Sequence, residues 1–138
     1  MDKKKILLVD DDEIQILAFE NILKEKFEII TAKSGKKALK IVYGGVKPDL
    51  ILLDILMPDM DGWEVFNRLK GISLIKDVPI AFLTAVHGAK EKKLAYDIGA
   101  ADFIVKPFQA DVLIERIDTI LKDYKSKDQS VDYYVISQ

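Results

Sequence analysis

The chain has 138 residues, no cysteine, 49% hydrophobic and 32% charged residues, and a formal net charge of −2. That composition is globular, fits one domain with a core of its own, and excludes disulfides, thiolate metal sites and cysteine nucleophiles. The charge balance gives no non-specific grip on nucleic acid or an anionic membrane, and no apolar run approaches the ~20 residues of a membrane helix. In "MDKKKILLVD" the apolar run stops after four residues, too short for a signal-peptide core, so a cytoplasmic protein is the expectation.

The first strand-like run, "KILLV" (5–9), leads directly into Asp10, Asp11, Asp12 and Glu13. Adjacent carboxylates repel one another unless something cationic sits among them. Residues 13–24 then have helical spacing, with Ile14, Leu17, Ala18 and Ile22 expected on one face. The second run, "FEIIT" (27–31), carries Glu28 and ends in "TAKSG", which offers nothing chemical. Ser34 is placed to cap a helix bearing Ala38, Ile41 and Val42.

The third run, "LILLD" (50–54), ends on Asp54, and residues 63–70 follow with Val65, Phe66 and Leu69. The fourth, "IAFLT" (80–84), ends on Thr84, with a helix at 89–98 expected to bury Leu94, Ala95 and Ile98 before a Gly99 cap. The fifth, "DFIVK" (102–106), ends on Lys106 and Pro107. A last helix at about 109–124 carries Leu113, Ile114, Ile117, Leu121 and Tyr124.

Five alternations of strand and helix predict a doubly wound α/β sheet with right-handed crossovers. The nearly continuous apolar runs suit central strands, and the second and fifth suit edges. Ligands in such sheets sit beyond the carboxyl ends of the strands. Asp10, Asp11, Asp54, Thr84 and Lys106 would therefore share one rim. Three carboxylates sum to −3, which a divalent cation and Lys106 would balance; Mg²⁺, which takes one or two carboxylates and shares phosphate oxygens, suits that cage. Taken singly, Asp12 and Glu13 read as helix-capping acids, and Asp10 or Asp11 alone would read the same way.

With "ILLVDDD" (6–12), "PDLILLDILMPDMDGWE" (48–64), "PIAFLTA" (79–85) and "GAADFIVKPF" (99–108) in this order, the chain resembles the receiver domain of two-component response regulators. The resemblance implies a flavodoxin-like (βα)5 sandwich with a parallel five-stranded sheet of order 2-1-3-4-5. It implies that Asp54 accepts a phosphoryl group from a sensor histidine kinase or a histidine phosphotransfer protein. Asp11, Asp54 and the Leu56 carbonyl would hold Mg²⁺ or Mn²⁺, with Asp10 assisting through water.

Lys106 and Thr84 would bind the phosphoryl oxygens, and the Lys106–Pro107 peptide would be cis. Phe103, where many relatives carry Tyr, would rotate inward with Thr84 and alter the surface of the fourth helix, fifth strand and fifth helix. That surface would meet a downstream protein or a second copy in a phosphorylation-dependent homodimer. The protein would be a signalling phosphoacceptor and not an enzyme in the ordinary sense. Leu56 and Val86, the variable positions beside Asp54 and Thr84, are apolar and would not orient a hydrolytic water.

Two other classes of protein suit these residues less well. A cofactor binder on this topology would want a Ser/Thr/Gly phosphate loop where the acids stand. A phosphohydrolase with an aspartyl nucleophile would want a second Asp at the position of Leu56. His87 reads as a surface loop residue, Trp63 as a packing residue, and "DMDG" (59–62) as a turn. Residues 1–124 are expected to form the receiver domain and 125–138 a tail or truncated linker, leaving no room for an output domain. Within that tail "VDYYVIS" (131–137) is rich in β-formers and could add to an open sheet edge, or could simply fray.

Overall fold

In a computed structural model, which describes the backbone of residues 2–137 and the side chains of 2–124, β1 (Lys4–Val9), β2 (Phe27–Ala32), β3 (Leu50–Leu53), β4 (Ile80–Thr84) and β5 (Asp102–Val105) form one sheet. The order is β2-β1-β3-β4-β5 and every pairing is parallel, so the expected edges and centre are where the sequence put them. The central runs are buried along their apolar length because helices cover both faces.

Five helices supply that cover: α1 (Glu13–Leu23), α2 (Gly35–Tyr43), α3 (Gly62–Lys70), α4 (Ala89–Asp97) and α5 (Ala110–Ser137). Each of the first three starts at a capping side chain. Asp12 accepts from the amides of Ile14 and Gln15, Ser34 from Lys37, and Asp61 from Glu64. One core lies under α2, α3 and α4 and includes Leu7, Ile51, Val65, Phe66 and Phe82; the other lies under α1 and α5 and includes Leu8, Phe19, Leu52, Leu113 and Ile117. Leu7 and Leu8, or Ile51 and Leu52, divide between them as strand alternation requires.

Three expectations are corrected. On α1 the buried face is Ile16, Phe19 and Leu23, while Ile14 is 77% and Leu17 57% exposed. The helix carries two apolar stripes, and the one containing the large Phe19 is the one turned inward. On α4 only Ala95 is fully buried, and Leu94 and Ile98 remain substantially exposed. The last helix does not end near 124 but runs to Ser137, so 131–137 is helical and not an added strand. No Gly or Pro interrupts 110–137, and extending an existing helix needs no new nucleus. Among the described residues no helix is long and apolar enough to cross a membrane.

Candidate functional site

The sheet register assembles the rim. Leu8 pairs with Leu52 and Val9 with Leu53, so the next residues of those strands, Asp10 and Asp54, emerge side by side. Backbone bonds fix that row: the Asp54 amide donates to Val9 at 3.0 Å, Asp10 to Ala32 at 3.1 Å, and Lys106 to Thr84 at 2.8 Å. Asp10, Asp54 and Thr84 are the buried polar residues among those described. Burying a carboxylate is costly unless a charge or donor answers it.

Lys106 gives the answer. Its ammonium lies 3.0 Å from Asp10 and 3.7 Å from Asp54, with the lysine side chain itself largely enclosed. The second Asp10 oxygen accepts the Asp12 amide at 2.9 Å, and an Asp54 oxygen accepts the Leu56 amide at 3.4 Å. Burial pushes the Asp54 carboxyl above its ordinary range, and the Asp10 charge adds to that; Lys106, the Thr84 hydroxyl and the Leu56 amide pull it back. The Thr84 hydroxyl accepts the Val86 amide at 3.2 Å, which holds it at the start of the following loop. The Lys106–Pro107 peptide is cis.

The donor set fits a hard divalent cation. Asp10, Asp11 and Asp54 can each offer one oxygen within 4.8 Å of the others, and Asp11 is exposed to receive an ion from solvent. An all-oxygen carboxylate set against a single lysine leaves two negative charges uncompensated, which suits Mg²⁺ or Mn²⁺. The turn after Asp54 is tight as well. A Cβ at Gly62 would collide with the Asp54 carbonyl oxygen and the Ile55 Cα, so glycine lets α3 start against the site.

Other predicted residues have distinct surroundings. Phe103 is buried against Phe82, with ring centroids 6.2 Å apart. Without a phenolic hydroxyl the ring has no polar atom to draw it toward water. Leu56 is 62% exposed and stands at the mouth of the site, whereas Val86 packs partly against the core. His87 is exposed, and Trp63 packs on Phe82 in a tilted arrangement, with centroids 4.9 Å apart and planes at 53°.

Two groupings escaped the sequence reading. Phe19 lies beneath the Lys106 ammonium, and Tyr96, Asp102 and Arg116 form a polar cluster beside Phe103. Each joins residues of different strands and helices, where no local spacing rule reaches.

Residues 6–118 match the model of the response regulator receiver domain. The chain belongs to that family. It is 37% identical over 123 residues to a probable cyclic di-GMP phosphodiesterase of Vibrio cholerae, covering 89% of this chain and 28% of that protein. Against the alkaline phosphatase synthesis transcriptional regulatory protein PhoP of Bacillus subtilis it is 40% identical over 120 residues, 86% of this chain and 49% of the other. The chain thus spans half or less of the length of these curated relatives. A solved structure of a putative response regulator from Chloroflexus aurantiacus superposes with a TM-score of 0.80 at 33% identity, covering 87% of this chain and 98% of that one. The chain is therefore a receiver domain of the two-component signalling type.

Proposed function

We propose that Asp54 is the phosphoacceptor of this receiver domain. An Asp54 oxygen attacks the phosphorus of a phosphohistidine on a sensor kinase or phosphotransfer protein, the P–N bond breaks, and its electron pair returns to the imidazole. Asp11, Asp54 and the Leu56 carbonyl would hold Mg²⁺ or Mn²⁺, with Asp10 bound through water, and the ion supplies positive charge to the phosphoryl oxygens. Lys106 and Thr84 take further oxygens of the product. The observation that carries this reading is the buried Asp54 carboxylate held next to Asp10, with a single lysine shared between them.

Phosphorylation makes Asp54 more negative by about one charge, which draws Lys106 and the Thr84 hydroxyl toward it. Thr84 and Phe103 lie on adjacent strands, and their movement reads out on the α4-β5-α5 surface. A downstream protein or a second copy docks there. The phosphodonor protein meets the opposite rim, where exposed Ile14, Leu17 and Leu56 offer an apolar approach to the acids. Residues 1–124 are the receiver unit on this account, 125–138 are a tail or linker, and the protein works in the cytoplasm.

Incubation with acetyl phosphate and Mg²⁺ should add one phosphoryl group per chain by intact mass. Chelation with EDTA and the substitution Asp54→Asn should each abolish the gain. Asp11→Ala should weaken Mg²⁺ binding far more than Asp12→Ala, because Asp12 is occupied as the cap of α1. Full labelling of Asp54→Asn, or equal losses of metal affinity in the two alanine variants, would overturn the assignment.

A further inference from the structure

The Lys106 ammonium has a third neighbour besides Asp10 and Asp54. It lies over the ring of Phe19, 5.6 Å from the centroid, within the range in which a cation is drawn to an aromatic face. Phe19 is 2% exposed and belongs to α1, the helix that Asp12 caps directly after the acidic pair. Its ring also stacks on Phe108, with centroids 5.3 Å apart and planes at 12°. Phe108 stands just beyond Lys106 and Pro107 in the connection to α5. One α1 ring thus contacts both the ammonium and the segment that carries it.

We propose that Phe19, seconded by Phe108, is a positioning residue for phosphoryl transfer to Asp54. It gives the Lys106 ammonium a desolvated seat from which the ammonium passes from Asp10 to a phosphoryl oxygen on Asp54 without returning to water. This inference rests on the reading of Asp54 as phosphoacceptor.

The chemistry of the alternatives favours an aromatic at this place. A third carboxylate under Lys106 would fix the ammonium on one oxygen and add negative charge to a site that already holds Asp10, Asp11 and Asp54. An aliphatic side chain would exclude water and offer the cation nothing in return. The ring quadrupole attracts the ammonium over the whole face, so a small lateral shift between Asp10 at 3.0 Å and Asp54 at 3.7 Å costs little of that attraction. The Phe19–Phe108 stack adds apolar burial that ties the β5–α5 connection to α1.

The test is a double-mutant cycle on the full chain, using Phe19→Leu, Lys106→Met and both together, with acetyl phosphate and Mg²⁺. Phe19→Leu should lower the maximal phosphorylation rate about five-fold, the size one partly desolvated cation–π contact supports, and leave half-saturating acetyl phosphate unchanged. Added to Lys106→Met it should change nothing further, and Phe108→Leu should follow the same pattern with a smaller loss. Equal slowing by Phe19→Leu with and without Lys106 would reduce the ring to a core residue and overturn the proposal. A second readout needs no phosphorylation: the Lys106 ε-methylene protons should carry upfield ring-current shifts that vanish in Phe19→Leu. If those shifts do not change, the seat does not exist; if they vanish but the parent takes up no phosphoryl group, the Asp54 reading has failed instead.

Discussion

Arg116 grips Asp102 with two nitrogens, Nε to Oδ2 at 2.9 Å and Nη2 to Oδ1 at 2.5 Å, and Tyr96 donates its hydroxyl to the same carboxylate at 2.9 Å. The trio joins α4, β5 and α5 beside Phe103, whose amide also donates to Asp102. Burial pushes the Asp102 carboxyl up, but Arg116, the Phe103 amide and Tyr96 outweigh it and hold the group below its ordinary value of 3.8. A depressed carboxylate contributes stability that is complete above the unfolded value and is lost as pH falls through the folded one. Asp102→Asn should therefore cost about 1–2 kcal/mol at pH 7, a charge-assisted value discounted for the partly exposed Arg116. The gap between parent and variant should close as pH drops below 3.8. Denaturant melts across pH check this, and a gap that widens in acid would contradict it.

The two apolar stripes of α1 should differ sharply in energetic weight. Leu23→Ala removes a fully buried side chain and should cost about 2–5 kcal/mol, whereas Leu17→Ser should stay within about 0.5 kcal/mol. Leu17→Ser should instead slow phosphotransfer from a cognate kinase while leaving phosphorylation by acetyl phosphate intact. Equal effects on both phosphodonors would remove α1 from the docking surface.

Those stripes also mark how far the sequence could be read. Strand identity and the two edge strands were legible because the central runs are apolar without interruption, while the full strand order followed from the resemblance to receiver domains. Asp10, Asp54, Thr84 and Lys106 needed only the rule that such sheets present their sites at carboxyl ends. The face of α1 was not legible, since Ile14 and Leu17 satisfy helical spacing as well as Ile16 and Phe19 do. The choice is made by tertiary packing against β1 and α5. Phe19 beneath Lys106 and Arg116 on Asp102 were hidden for a related reason: each contact links residues that only the assembled fold brings together. The extension of α5 is not legible locally, because the β-formers of 131–137 give no sign of the uninterrupted helix leading into them.

Leu56 and Val86 bear on the lifetime of the phosphorylated state. Neither can hydrogen-bond a water in line with the phosphorus, although Leu56 at 62% exposure is a partial cover and Val86 the firmer one. A Leu56→Asn, Val86→Glu double variant should lose its phosphoryl group about ten-fold faster after donor removal, equal to ~1.4 kcal/mol of barrier. Val86→Glu alone should account for more of the change than Leu56→Asn alone. Decay no faster in a folded double variant that binds Mg²⁺ normally would refute the argument from apolar cover.

The most direct test is the position of the phosphoryl group. After phosphorylation by acetyl phosphate in Mg²⁺, borohydride reduction converts an aspartyl phosphate to homoserine, which peptide mass spectrometry locates. Homoserine should appear at position 54 and at no other, with none formed when EDTA is present. Homoserine at Asp10 or Asp11, or an unmodified Asp54 in chains that carry the added mass, would contradict it.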